Sequence, residues 1–278
     1  MHPILFQLGA ITVYTYGVLV ATGVILGLLY ARRQALRAGL PPREIWNLGI
    51  YMIFGALVVS KLWLVFSAWR YFAANPSAIL SVTLLQSAGT FYGGVLGAVP
   101  VILVYSRVRK LPLLPVFDVA AGALPLAHAI GRLGCFAAGC CFGKPTTLPW
   151  GVTFTDHAAA RLAGTPLGVP LHPTQLYEAA AEFLNFLLLV WMGTRQRFAG
   201  EILGTYFILY GIERGIIEIF RGDPGRGLMF HDSVSLMQIV SAGLVFTGCF
   251  LWWRGLQKSA VSSQTPVQSN PAAAHAAE

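Results

Sequence analysis

Long apolar runs separated by short polar clusters dominate the 278-residue chain. Seven of these runs reach about 17 residues or more, enough to cross bilayer hydrocarbon as helices. They fall at about Tyr14–Tyr30, Trp46–Phe66, Ser87–Tyr105, Val116–Leu133, Gln175–Trp191, Glu201–Phe220 and Val234–Trp253. Residues 1–13 are apolar but too close to the start to span separately, and they read as an N-terminal arm lying on the membrane interface. The opening MHPILFQLGA lacks a basic segment, so no cleavable signal peptide is expected. Residues 143–172 form the one sizeable stretch outside the runs; it is rich in Gly, Pro and Thr and holds a strand-like Trp150-Gly-Val-Thr-Phe154. The Ser/Ala/Pro/Gln-rich segment 259–278 reads as a disordered tail. The fold class expected is therefore an all-α polytopic membrane protein. Residues 1–258 form a single domain of seven transmembrane helices, with no internal repeat.

Composition agrees with this pattern. The chain is 56% hydrophobic and 11% charged, with a mean hydropathy of +0.65, which excludes a soluble globular protein. The net charge of +8 could suggest nucleic acid, but the cations sit in short clusters between apolar runs, as membrane topology signals do. Eleven of the 19 Lys and Arg lie in one alternating set of loops: Arg32, Arg33, Arg37 and Arg43; Arg107, Arg109 and Lys110; Arg195 and Arg197; Arg254 and Lys258. The positive-inside rule puts that set in the cytoplasm, with the N-terminus outside, the C-terminus inside and the 143–172 loop outside.

Polar residues within the apolar runs carry the candidate chemistry. The sixth run reads Tyr210-Gly-Ile-Glu213-Arg214-Gly-Ile-Ile-Glu218-Ile-Phe-Arg221. Tyr210, Arg214 and Glu218 recur at i, i+4 and i+8, with Arg221 seven residues past Arg214, so all four share one helix face. A single snorkelling Arg would need no function, whereas a four-residue stripe inside a membrane points to one. The fourth run adds His128 and Arg132 at i, i+4 after Pro125, then Gly131 and Gly134. Such glycines let backbone N–H groups approach an anion. The fifth opens His172-Pro-Thr-Gln175-Leu-Tyr-Glu178, with Gln175, Glu178 and Glu182 on one face; Glu178 serves equally as counter-ion to an Arg or as a direct participant. Lys61 lies among Val and Leu in the second run. The third begins near Tyr92-Gly93-Gly94, where Gly93 and Gly97 are spaced for close helix contact. Tyr92 and Tyr16 are either interfacial aromatics or hydroxyls aimed at the site.

The four cysteines, three of them clustered at Cys135, Cys140 and Cys141, are too few for a disulfide scaffold. Zinc would want a fourth ligand, and adjacent cysteines fit metal spacing poorly, so no metal is expected. A Cys135–Cys140 disulfide is open on an oxidising side; small packing residues are the default reading.

Taken in order, Tyr16-Gly17, Phe91-Tyr92-Gly93-Gly94, Gly131-Arg132-Leu-Gly134, Trp150-Gly-Val-Thr-Phe154, His172-Pro-Thr-Gln-Leu-Tyr-Glu178 and Tyr210-Gly-Ile-Glu-Arg214 through Arg221 resemble the prolipoprotein diacylglyceryl transferases of bacterial inner membranes. The resemblance extends over most of the chain. It implies transfer of the diacylglyceryl group of phosphatidylglycerol to the lipobox cysteine thiol in the signal peptide of a prolipoprotein, releasing glycerol 1-phosphate. It further implies that Arg132 and Arg214 grip the phosphate and that Tyr210, Glu178, Glu218, Arg221 and Tyr16 line the same cavity. Two departures stand out. The family pattern FHGG has His where this chain has Tyr92, and GRIGNFINGE becomes Gly131-Arg-Leu-Gly-Cys135-Phe-Ala-Ala-Gly-Cys140. The general base is accordingly open between His128 and Tyr92, and a divergent paralogue with another acceptor is an alternative.

The residue types suit that chemistry independently. A phosphodiester with one negative charge leaves as a monoester approaching two, so fixed guanidinium groups stabilise the transition state more than the ground state. Positive charge also favours the acceptor thiolate. No cofactor is required, and no nucleotide motif is visible. A transporter for anionic lipid or solute could use the same Arg–Glu pairs, but neither inverted repeats nor paired broken helices are evident. An intramembrane protease wants a Ser–His or paired-Asp site, and none is convincing.

Overall fold

A computed structural model of the chain describes residues 2–8, 11–80, 91–223, 228–229 and 234–264. The N-terminal arm is an antiparallel hairpin, β1 (Ile4–Leu8) and β2 (Ile11–Tyr14). It runs directly into α1 (Thr15–Arg37), whose first amide bonds back to the Pro3 carbonyl at 3.0 Å. A tight turn through Gly39, Pro41 and Pro42 starts α2 (Pro42–Ser67), with Pro at the first helical position where no amide partner is lost. A short α3 (Trp69–Ala74) and a 3₁₀ turn (Pro76–Leu80) follow. Next come α4 (Phe91–Val108) and α5 (Leu113–Ala138), which ends on left-handed Gly139 at φ 80°. The loop beyond holds α6 (His157–Ala163) and a two-stranded ribbon, β3 (Val152–Thr153) against β4 (Pro170–Leu171). The chain finishes with α7 (Thr174–Gly193), α8 (Glu201–Phe220), the ribbon β5 (Leu228–Met229) and β6 (Val234–Ser235), and α9 (Leu236–Gln264).

The protein is an all-α polytopic membrane protein. Among the described residues, α1, α2, α5, α7 and α9 are long and apolar enough to cross a bilayer; Gly93–Val108 of α4 is a shorter apolar helix. The sixth expected span coincides with α8, whose 20 residues include Glu201, Glu213, Arg214 and Glu218. Helix α1 runs past the expected end at Tyr30 because Ala31–Arg37 keeps helix-forming residues after the apolar run stops. Helix α9 likewise continues past Ser259 to Gln264, into the segment expected to be disordered, while residues 265–278 lie outside the described residues.

Helix α5 is the axis of the bundle. It packs on α1, α7 and α8, and 44% of its apolar window is buried, against 17% for α1 and 11% for α9. The outer helices show Leu26, Leu57, Phe66 and Phe246 to the surroundings, as lipid-facing helices do. Glycines set the closest approaches. Gly97 of α4 lies against the Gly55 carbonyl of α2, where an added Cβ would come within 2.2 Å of the oxygen. Gly23 of α1 meets Ala127 of α5 in the same way.

A buried polar joint fixes α5 to α8. The Asp118 carboxylate accepts from the amides of Gly200 (2.6 Å) and Leu203 (2.9 Å) and from Gln196 Nε2 (2.6 Å). It thereby satisfies amides that the start of α8 leaves unpaired. At the other end of α8, Lys144 N donates to Phe220 O (2.8 Å) and Gly222 N to Phe142 O (3.1 Å), stitching the 143–172 loop to the helix terminus.

Candidate active site

The charged stripes of α5, α7 and α8 meet in the middle of the bundle. Arg132 Nη2 donates to Glu178 Oε1 at 2.6 Å, and Arg132 Nε to His128 Nε2 at 3.1 Å. With Nε2 accepting from Arg132, a neutral His128 carries its proton on Nδ1, 2.5 Å from Glu182 Oε1; Nε2 also lies 3.4 Å from Glu178 Oε1, so both ring nitrogens face a carboxylate. Tyr206 also donates to Glu182 Oε1, at 3.1 Å. The Tyr206 and Tyr210 rings stack at 5.7 Å, and Tyr210 reaches the His128 ring at the same separation. The network therefore runs Arg132, His128 and Glu178, then Glu182, Tyr206 and Tyr210. Its carboxylates are fully buried, with Glu178 1% and Glu182 0% exposed.

Arg214 enters from α8. Its Nη2 is 2.7 Å from Glu218 Oε2, one turn along, and its charge is felt at both Glu178 and Tyr210. The Glu218 contact is close but not aligned as a hydrogen bond. Arg214 Nη1 and both Glu218 oxygens are buried with no hydrogen-bond partner among the described residues. Glu182 Oε2, Glu213 Oε1 and Gln175 Oε1 share that condition. Unanswered buried polar atoms are costly; among the described residues most of them belong to α7 and α8, with Tyr30, Ser106 and Ser241 lying elsewhere. Glu213 itself is anchored by Asn185 Nδ2 at 2.7 Å.

The remaining sequence candidates sit around this centre in different ways. Arg221 lies at the end of α8 in a forked pair with Asp223 and within electrostatic reach of Cys141 and Arg132. Gln175 donates to the Cys140 carbonyl at 2.7 Å, holding the turn after α5. His172 packs on Tyr177 and Phe220 and lies 3.2 Å from the Tyr177 hydroxyl, which also accepts from Trp150. Tyr16 covers Gly134, where a Cβ would press on its backbone and ring at 3.3 Å; Gly134 thus admits the start of α1 against α5. Gly131 makes only ordinary contact distance to Val20. Lys61, Gly93 and Gly94 stand on α2 and α4, a pair that packs chiefly on itself. The Tyr92 side chain lies outside the described residues, so its place at the site is carried forward as an expectation.

All four cysteines are free thiols, including the Cys135–Cys140 pair for which a disulfide was one reading. The sulfurs of Cys135, Cys140 and Cys141 nevertheless lie within 4.8 Å of one another. Cys141 adopts φ 61°, unusual for a non-glycine residue, directly after left-handed Gly139 and Cys140. Cys140 Sγ donates to the Cys135 carbonyl at 3.7 Å, and Arg221 and Arg132 lie within electrostatic reach of Cys141.

A hollow of about 680 Å³ lined by Asn47, Tyr51, Val104, Tyr105 and Arg109, among others, shares no lining residue with this network. It brings no set of unanswered charges together, and the chemistry is placed at the buried charges instead. Sequence reasoning missed Tyr206 as a site residue, though it stands one turn before Tyr210 on the same stripe. It also missed Asp118, a lone buried acid in α5.

Comparison with known proteins adds a second line of observation. The family model for prolipoprotein diacylglyceryl transferase matches residues 3–254. A phosphatidylglycerol–prolipoprotein diacylglyceryl transferase of Clostridium tetani is 31% identical over 252 residues, covering 91% of this chain and 97% of the relative. Proteins of the same name from Synechococcus elongatus and Geobacillus kaustophilus are each 33% identical, over 92% and 91% of this chain and 89% and 92% of their own lengths.

Proposed function

Since the chain belongs to the prolipoprotein diacylglyceryl transferase family and is a membrane-embedded transferase, we propose that it moves the sn-1,2-diacylglyceryl group of phosphatidylglycerol onto the lipobox cysteine thiol of prolipoprotein signal peptides, releasing glycerol 1-phosphate. The observation that carries the reading is that Arg132 of α5 pairs with Glu178 while Arg214 of α8, paired with Glu218, lies within electrostatic reach of the same Glu178. Arg132 pairs with Glu178 at 2.6 Å, and Arg214, acting on the same Glu178, keeps a buried Nη1 with no partner. An anionic phosphodiester arriving between α5, α7 and α8 answers Arg214 Nη1 and competes with Glu178 for Arg132. As the ester bond breaks, charge grows on the phosphate between the two arginines, and their stabilisation rises with it.

His128 is the base candidate within reach of that charge. Its acceptor nitrogen is Nε2, the atom now bonded to Arg132, and it becomes free when Arg132 turns to the phosphate. Glu182 then stabilises the resulting imidazolium through Nδ1. Tyr92 remains the second candidate. We further assign seven spans in a bacterial inner membrane, with a periplasmic N-terminus and a cytoplasmic C-terminus, on the Lys/Arg asymmetry of the loops. The test is purified protein incubated with phosphatidylglycerol and a lipobox peptide. Glycerol phosphate release that requires the peptide cysteine supports the reading; release in its absence, or none at all, overturns it.

A further inference from the structure

The reaction as assigned above leaves Cys135, Cys140 and Cys141 without a part, yet they are disposed like a ligand set. We infer that these three thiols hold one thiophilic divalent cation of the zinc class, open at its fourth position, and that the acceptor cysteine of the substrate enters there. The inference rests on the diacylglyceryl transfer proposed above and names how its nucleophile is prepared.

Consecutive cysteines ordinarily direct their side chains apart. Here the left-handed turn at Gly139 and the positive φ of Cys141 fold the chain back. Gln175 Nε2 on the Cys140 carbonyl and Thr174 Oγ1 on the Cys141 carbonyl, both at 2.7 Å, lock that turn to the start of α7. Cys135, on the last turns of α5, supplies the third sulfur, and the three lie within 4.8 Å of one another. Zinc–sulfur bonds of about 2.3 Å place the sulfurs of a tetrahedral site roughly 3.8 Å apart, so about 1 Å of side-chain closure completes the geometry. A disulfide uses two thiols and leaves the third idle; a metal uses all three.

Charge favours the same assignment. A divalent cation with three thiolates carries one net negative charge, and a fourth thiolate makes it two. Arg132 and Arg221, both within electrostatic reach of Cys141, offset that charge. Arg132 also belongs to the phosphate site, so metal and phosphate stand on two sides of one guanidinium. Tyr92 occupies the position of the family pattern's histidine, and a metal-bound thiol asks less of whichever base takes its proton.

The step balances without redox change. The acceptor S–H binds the cation and gives its proton to the base assigned above, His128 or Tyr92. The metal-bound sulfur attacks the glyceryl carbon that bears the phosphate, forming the C–S bond. The C–O bond breaks, its electron pair goes to the phosphate oxygen, and the phosphate leaves as a dianionic monoester. The product thioether is neutral and a poorer ligand than a thiolate, so it dissociates.

Full-length protein in detergent, loaded with cobalt(II) in place of zinc, tests this through a readout independent of turnover. We expect saturable thiolate-to-cobalt charge-transfer absorption at one metal per chain. A lipobox peptide should shift the band, and the same peptide with Ser for Cys should not. Cys135→Ser, Cys140→Ser and Cys141→Ser should each abolish the band, whereas Cys249→Ser, on exposed α9, leaves it intact. The wild-type titration alone decides the matter if a variant fails to fold. Absence of a saturable band overturns the inference, as does a Cys135–Cys140 disulfide in protein purified without reductant, or a band indifferent to the peptide thiol. Transfer undiminished by chelation overturns the activating role and leaves diacylglyceryl transfer standing. A peptide-sensitive band with no glycerol phosphate release supports the metal site and overturns the reaction assigned to it.

Discussion

Two arginine–glutamate pairs in this bundle use the same groups for opposite ends. Between α2 and α4, Arg109 binds Glu44 through a fork, Nε to Oε2 at 2.7 Å and Nη2 to Oε1 at 2.8 Å, while the Tyr105 hydroxyl adds a third bond at 2.6 Å. Arg109 is half exposed, and both Glu44 oxygens are answered. Between α5, α7 and α8, Arg132, Arg214, Glu178 and Glu218 are deeply placed, and Arg214 Nη1 and both Glu218 oxygens lack a hydrogen bond, although Glu218 Oε2 keeps its ion contact with Arg214. A saturated pair near water joins helices and screens its own charge. An unsaturated cluster in a low-dielectric interior is strained toward whatever can complete it. The number of charges does not separate the two regions; their unfinished hydrogen bonds do.

Substitution can break this contrast. The largest effect is expected from Arg132→Ala and Arg214→Ala, each lowering glycerol phosphate release by about 100-fold to 1,000-fold or more, the scale of losing a transition-state charge donor. Normal turnover in either variant, measured on inserted protein, removes the phosphate clamp. His128→Gln is next, at about 100-fold or more if its Nε2 takes the thiol proton. Tyr92→Phe measured beside it decides the base, and normal rates in both exclude both. Glu178→Ala leaves Arg132 buried without its partner, so a loss of about 3–5 kcal/mol in detergent unfolding is expected together with reduced turnover. Asp118→Ala strips the start of α8 of its cap and should cost about 1–2 kcal/mol with the catalytic groups untouched. Arg109→Ala is the control from the saturated pair and should leave lipidation of a reporter unchanged. A large loss there erases the distinction between the two regions.

Much of this was legible from residue order, for reasons that differ by element. Helix α8 matches its expected span at both ends, because Gly200 stops one side and a charged cap the other. Helix α1 overran its expected end because charge marks where hydrocarbon stops, not where helix stops. The seven-residue α6 was overlooked, although Asp156 before it and Gly164 after it are ordinary start and stop signals. The i, i+4 rule placed His128 with Arg132 and Tyr210 with Arg214, since helical spacing translates directly into a shared face. It could not show that Glu182 bridges His128 and Tyr206, because that contact joins three helices. Nor could it show three sulfurs converging, which depends on one residue, Cys141, adopting a left-handed backbone.

The Asp118 joint has a mechanical consequence. It ties α5 to the first residues of α8 at the end of the bundle remote from Cys135, and Arg132 lies 14 residues further along α5, about 21 Å away at 1.5 Å per residue. A second tie holds the far tips, where Lys144 N bonds to Phe220 O and Gly222 N to Phe142 O. Rods pinned at both ends cannot splay at either, so extra room between Arg132 and Arg214 has to come from bowing of the stretch between the pins rather than from a hinge at one end.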